Sequence, residues 1–483
     1  MTTKPQAADG PLTRLLFRST DIAGLVFFRI AYGVLMCWDM LGYLAADRIQ
    51  RFYTGPAVLF TYPGFDWVSP GSQDTMEALF VVLALLALAI AVGLFYRAAA
   101  ALFFVGFLYV FLLDKATYNN HNYLICLLNF LLIFIPAHRA GSLDAWWRKG
   151  LRSKTVAEGW LWILRFQIGV PYFFGGLAKL NYDWMMRAEP MSLWFRYDYA
   201  EGPLDLEIFR EFWAGYAFAW GGTLFDLAIV PLLVWRRTRL WAFVAATAFH
   251  LTNSQLFVIG IFPWLMIAAT TIYFDSDWPR RLGLVGKSEV AKPKGRSGKK
   301  KTSGRGAAVS VDPGQIPGVV VPASTRTLVL VTLGLWVTVQ VLLPFRHVLF
   351  PGNVDWTEEG NRFAWRMKLR HKEGDVHFVV LDKATQKATV FKDYSGVITR
   401  TQQRHMQHDP DMIRQFAVSL AERLAERGQG DVEVRAVTQI ALNGRRPAPL
   451  VDPEVDLSKV HWRALRADPW VLPLDMEASL PPP

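Results

Sequence analysis

Apolar runs of membrane-crossing length recur along this 483-residue chain, and they limit its fold more than any other feature. A helix needs about 20 predominantly apolar residues to cross the hydrocarbon core of a bilayer. Such runs occupy residues 22–44, 78–95, 98–113, 123–136, 159–178, 216–235 and 327–345, the run at 123–136 being short. The apolar stretch 240–274 is too long for one helix. It is interrupted at 250–255 by His-Leu-Thr-Asn-Ser-Gln and reads as two segments meeting at a polar turn. The total is nine. The chain is 52% hydrophobic, and its 19 Trp, 33 Phe and 15 Tyr suit aromatic belts at two membrane interfaces. The expected class is an α-helical polytopic membrane protein of about nine transmembrane helices with a C-terminal α+β soluble domain.

Charged residues make up 19% and gather in loops and in the last third, so the net charge of +11 reads as membrane topology. No basic region carries interleaved aromatics in a nucleic-acid-binding pattern, and no nucleic acid partner is expected. The N-terminal residues up to Asp21 are polar and lack a signal-peptide core, so the first span is expected to direct insertion. Arg97, the stretch 138–153 (read as an amphipathic surface helix), Arg236–Arg239 and the region 280–305 all fall on the N-terminal side, cytoplasmic by the positive-inside rule. The expected organisation is an eight-helix membrane domain at 1–284 and a disordered basic cytoplasmic linker at 285–326. A last helix at 327–345 and an extracytoplasmic domain at 346–483 follow. Strand patterns at 376–381 and 387–391 flank a turn at 383–386. A helical pattern at 412–427 ends at Gly428 and a strand follows at 432–442.

The same topology places three polar clusters together on the opposite face: Asn119–His121, Lys179–Trp184 and His250–Gln255. Lys179 ends the fifth apolar run and admits two readings. It is a boundary lysine snorkelling to the interface, or a desolvated amine able to take a proton. Gly175 and Gly176 let another helix or a flat ligand approach the backbone. His121 and His250 are hydrogen-bonded structural groups when taken singly. With Asn120, Asn253 and Gln255 they are candidates to hold a substrate carbonyl or a developing oxyanion. Arg29 and Asp39 read as structural charges that satisfy each other or backbone groups, and Asp226 is a buried acid whose partner the sequence does not reveal. Residues 182–213 read as a long aromatic loop. Cys37 and Cys126 sit inside apolar segments, which excludes a disulfide framework. No HExxH or GxSxG motif occurs, and His405 and His408, spaced i, i+3 with no third ligand nearby, read as a solvated pair, so no metal is expected. What remains is acid–base chemistry on a lipid-soluble molecule.

Longer motifs carry a resemblance. Residues 109–124 (YVFLLDKATYNNHNYL), Gly-x-x-Lys-Leu-x-x-Asp-Trp at 176–184 and Phe-His-x-x-Asn-Ser-Gln-Leu-Phe at 249–257 closely resemble the vitamin K-dependent gamma-glutamyl carboxylase family. So do Asp-Ser-Asp-Trp-Pro-Arg-Arg-Leu at 275–282 and Trp356-Thr357, and the likeness runs in order from about residue 11 to 475. The resemblance implies that a vitamin K hydroquinone, or menaquinol, is oxidised by O2 to its 2,3-epoxide while CO2 is added to the γ-carbon of a peptide glutamate. By the same resemblance Lys179 is the amine base and His121 serves the carboxylation half. His250 and Asn253 line the quinone end, and Asn120, Gln255, Asp183 and Trp184 are candidate substrate- or quinone-binding residues. Partners are then membrane lipid, the quinone and a glutamate-containing peptide or protein.

Ala178 stands where animal members carry a second lysine. Neither a lumenal disulfide nor an Asn-x-Ser/Thr sequon is present. These departures imply a bacterial inner-membrane relative with a periplasmic C-terminal domain. The rival expectations are a quinol epoxidase without glutamate carboxylation, and a non-catalytic membrane scaffold.

Overall fold

The computed structural model of the protein describes residues 10–198, 207–257, 259–285, 323–463 and 465–480. Its membrane part consists of α1 (Ala23–Ala45), α2 (Gln73–Val92), α3 (Tyr96–Leu113), α4 (Asn120–Phe134), α5 (Gly159–Ala178), α6 (Phe212–Val234), α7 (Arg239–Leu256), α8 (Phe262–Thr270) and α9 (Ala323–Leu342). Among the described residues, six helices are long and apolar enough to cross a membrane: α1, α2, α3, α5, α6 and the segment Ser324–Leu349 containing α9. The expectation of nine crossings is not met on this criterion. At 1.5 Å per residue α4 rises only about 22 Å, because residues 114–119 are spent in a 3-10 turn and loop before it begins. The linker read at 285–326 lies almost wholly outside the described residues.

Glycine and capping chemistry set the close crossings. Gly33 on α1 faces α2 so tightly that a Cβ would stand 2.6 Å from the Ala87 carbonyl oxygen. Gly93 ends α2 at φ +67°, and a Cβ there would meet Ser142 at 2.4 Å and the Arg29 guanidinium at 3.0 Å. Asp144 then caps α3, accepting from the backbone N–H groups of Phe95 and Tyr96 at 2.9 Å each. Arg29, fully buried, donates to the carbonyls of Ala91 (3.3 Å), Ala137 (2.8 Å), Ala140 (3.2 Å) and Gly141. Asp39 lies ten residues further along α1, about 15 Å of helix rise away, so Arg29 is satisfied by backbone and not by Asp39.

That use of the carbonyls corrects a second expectation. Residues 138–153 are not one amphipathic helix. They form two 3-10 turns around the short helix Leu143–Trp147, whose N-terminus Ser142 caps. The stretch 182–213 is not a plain loop either: it contains the short helices Tyr182–Met186, Met191–Leu193 and Glu207–Arg210. In 240–274 the polar residues His250–Gln255 stay helical, completing α7, and the break falls after Leu256.

The C-terminal part is α+β, as expected. Strands β1 (Ser19–Asp21) and β2 (Thr155–Ala157) pair within the membrane part, whereas β3 (Lys372–Asp382), β4 (Ala388–Phe391) and β5 (Val432–Leu442) form an antiparallel sheet in the order β4-β3-β5. Helices α10 (Arg400–His408) and α11 (Pro410–Glu426) follow β4, and α11 buries Ile413, Phe416 and Leu420 in a core with Phe378, Val434 and Ala436. The domain is clasped to the membrane part by polar contacts. Lys115 pairs with Asp411. Gln402 donates to Asp114 at 2.8 Å, and Gln415 bonds the backbone of Thr61 in both directions.

Candidate active site

Lys179 follows the last turn of α5, its backbone N–H bonded to the Gly176 carbonyl at 3.2 Å. The two glycines before it bring in protein. A Cβ on Gly176 would lie 2.8 Å from the Leu227 side chain and 3.1 Å from Asp226 Cβ, and one on Gly175 would lie 3.1 Å from Met367. Only glycine lets α6 come this near. The approach delivers the partner that the sequence left open: Asp226 Oδ2 is paired with Lys179 Nζ, with both residues buried. Trp184 packs beside them, its ring 5.5 Å from Lys179 Nζ, a cation–π distance. Its indole N–H donates to the Ala219 carbonyl (2.7 Å) and to Thr223 Oγ1 (3.0 Å).

This pair lies on the wall of a cavity of about 470 Å³ between the membrane helices and the C-terminal domain. Asn120, His121, Lys179, Trp184, Asp226, His250 and Asn253 all line it, so five of the sequence candidates from three clusters meet Lys179 and Asp226 there. The membrane-side wall is aromatic. His121 lies 5.7 Å from Phe262, the two rings tilted, and His250 lies 5.9 Å from the same ring. His250 is 2% exposed; its Nε2 shares a 2.5 Å hydrogen bond with the Tyr172 hydroxyl, while its Nδ1 is buried without a partner among the described residues. Asn120 Oδ1 accepts from Tyr118 at 3.1 Å.

Two candidates lie elsewhere. Gln255 is exposed and does not line the cavity; its amide donates to Ser254. Asp183, adjacent to Trp184, points away into the domain junction. It accepts from both Arg445 Nη atoms at 2.6 Å, from Asn443 at 3.0 Å and from Arg187 at 3.2 Å. Burial raises the cost of its charge, but the Arg445 and Asn443 bonds outweigh that and hold its carboxyl below the ordinary range. Asp183 is therefore an interdomain tie and not part of the cavity.

The other wall went unread in the sequence. Arg362, Arg366, Lys368, Arg370 and Lys372 line it with Glu358, Asn361, His405, His408 and Asp409. Arg362 pairs with Asp409 (2.8 Å), Arg366 with Asp355 (2.6 Å), and Arg370 and Lys372 share Glu358 (2.6 and 2.8 Å). Lys368 Nζ stands 4.2 Å from the Phe257 ring. The positive charges outnumber the acids, making this wall an anion-attracting surface. Of the expected solvated pair, His405 is exposed and His408 is half-buried against this wall. Desolvation, then the neighbouring cations with Lys372 foremost, pushes His408 down to about 3, so it is neutral near pH 7. A signal existed: from 366 to 372 basic residues occupy every second position, with Met367 and Leu369 between them, the period of an extended segment.

Fold and site together define a polytopic helical membrane protein whose polar cavity is completed by a folded domain after its last helix. Residues 17–278 match the HTTM domain, and residues 325–477 match the lumenal domain of vitamin K-dependent gamma-carboxylase. The chain belongs to the vitamin K-dependent gamma-carboxylase family. No solved structure matches it.

Proposed function

We propose that the protein carboxylates the γ-carbon of peptide glutamate, coupled to oxidation of a vitamin K hydroquinone or menaquinol to its 2,3-epoxide with O2 and CO2. The observation that carries this reading is a single cavity with a buried lysine at the junction of an aromatic wall and a cationic wall. The residues fit the hydroquinone. His250 Nδ1 is a buried polar atom with no partner among the described residues, and its ring lies 5.5 Å from Phe249, 5.9 Å from Phe262 and 5.8 Å from Tyr172. Such an atom costs about 1–3 kcal/mol unless a ligand hydroxyl satisfies it. When bound and oxidised by O2, the hydroquinone supplies the strong base that removes the glutamate γ-proton.

The chain's own residues do the rest. His250, fixed by Tyr172, and Asn253 orient the ligand's oxygens. Lys179 Nζ receives the hydroxyl proton. Trp184 and the surrounding aromatics exclude water, which strengthens every charge interaction inside. The cationic wall from Arg362 to Lys372 holds the glutamate carboxylate, and its excess of positive charge offsets the second carboxylate that the product gains. His121, on the aromatic wall beside Phe262, serves the carboxylation half. The proposed placement is a bacterial inner membrane, with the cavity and C-terminal domain outside and residues 285–326 cytoplasmic. Arg18, Arg165, Arg236, Arg239 and Arg281 gather around a separate cleft formed by the opposite end of α5, which supports that orientation.

The test uses purified protein in nanodiscs with vitamin K hydroquinone, O2, 14C-bicarbonate and a short glutamate peptide. Epoxide and fixed radioactivity are read from one tube. Both products are expected. Epoxide alone would reduce the function to quinol epoxidation, and neither would overturn the reading.

A further inference from the structure

The pairing of Lys179 with Asp226 raises a question of proton balance that the amine alone does not answer. A buried ammonium facing a buried carboxylate is the form in which each charge compensates the other. In that form Lys179 has no lone pair and accepts nothing. One proton must move before the amine works, and the acceptor within reach is Asp226 Oδ2. The groups facing this carboxylate are few. They are Lys179, just past the end of α5, and Tyr172 on α5, whose hydroxyl is occupied by His250 from α7. From the C-terminal domain come the Trp365 carbonyl and Met367, near Gly175, while Arg366, on the same cavity wall, is engaged by Asp355. On α6 itself Leu227 is the neighbour packed against the glycines.

Resting on the proposed function above, we infer that Asp226 is the resting place of the proton taken from the hydroquinone. Lys179 passes that proton on and remains an ammonium. The balance is closed: the ligand O–H bond breaks and its electron pair stays on the ligand oxygen. An O–H bond forms on Asp226, and the Lys179 charge then faces the new oxyanion in place of the carboxylate. No electron is transferred in this step. Before it the site holds one positive and one negative charge, and after it the same, with the negative charge moved onto the ligand. A net charge is never created in the desolvated pocket, which is the costly alternative. Asp226 is thus a positioning and proton-holding residue that acts through Lys179.

Infrared difference spectra of the protein in nanodiscs, recorded under argon as vitamin K hydroquinone is added, read this directly without turnover. A protonated-carboxyl band is expected in the wild type, shifted in Asp226→Glu and missing in Asp226→Asn. With O2 admitted, Asp226→Asn is expected to form epoxide about 100-fold more slowly near pH 7. It regains rate as the pH rises, because Lys179 must now lose its proton to bulk water. Asp226→Glu keeps the wild-type pH profile. Epoxide formation by the wild type with no carboxyl band overturns the inference and leaves the function standing. So does an Asp226→Asn rate lowered equally at every pH. Absence of epoxide from the wild type removes both.

Discussion

At the scale of single residues, Asp183 and Asp226 separate two uses of a buried carboxylate. Asp226 meets one lysine at the cavity; Asp183 meets Arg445, Asn443 and Arg187 away from it. Removing one partner of a buried ion pair costs about 3–5 kcal/mol. Arg445→Ala is therefore expected to lower stability by about 3 kcal/mol in denaturant titrations, and a loss below 0.5 kcal/mol would show that Asp183 ties nothing. Acid should act on the same tie. The Asp183 carboxyl lies below its ordinary value in the folded protein, so its contribution is fully present above about pH 4. It is lost as pH falls through the lower folded value. Asp183→Asn should remove that acid-dependent part of the unfolding curve. Asn120, His121, Lys179, His250 and Asn253 were legible because each polar group ends or begins an apolar run. Gln255 and Asp183 were misplaced because neighbours one or two apart on a helix point to different sides. Asp226 could be seen as a buried acid, but its partner lies 47 residues away and only the folded crossing reveals it.

At the scale of elements, the glycine pair of α5 sets the site. Gly176→Val is expected to push α6 away through Leu227 and Asp226 Cβ, separating the Lys179–Asp226 pair while α5 itself remains helical. Epoxide formation should fall with little change in helical circular dichroism; an unchanged rate would mean that the close crossing is dispensable. The sequence patterns located most helices to within a few residues, and the bounds read for 159–178 and 432–442 agree with α5 and β5. They failed where side chains bond the backbone. Arg29 draws the carbonyls of 137–141 out of helical pairing, and Asn181 caps a new helix inside what reads as a loop.

At the scale of the whole molecule, the cavity exists only because two domains meet. The cationic wall belongs to residues after the last membrane helix, and nothing local in the first 285 residues announces it. This arrangement predicts sidedness: a reporter fused after residue 305 should be active in the cytoplasm, and one fused after Phe391 should be exported. The reverse pattern would put the proposed peptide entrance on the wrong face. The central claim is that Lys179 starts the hydroquinone oxidation on which the carboxylation depends. Its most direct test is the single-tube assay of epoxide and fixed 14C, run on wild type and Lys179→Ala in nanodiscs. The expected result is both products from the wild type and neither from the variant. Either product persisting at the wild-type level in Lys179→Ala would contradict it.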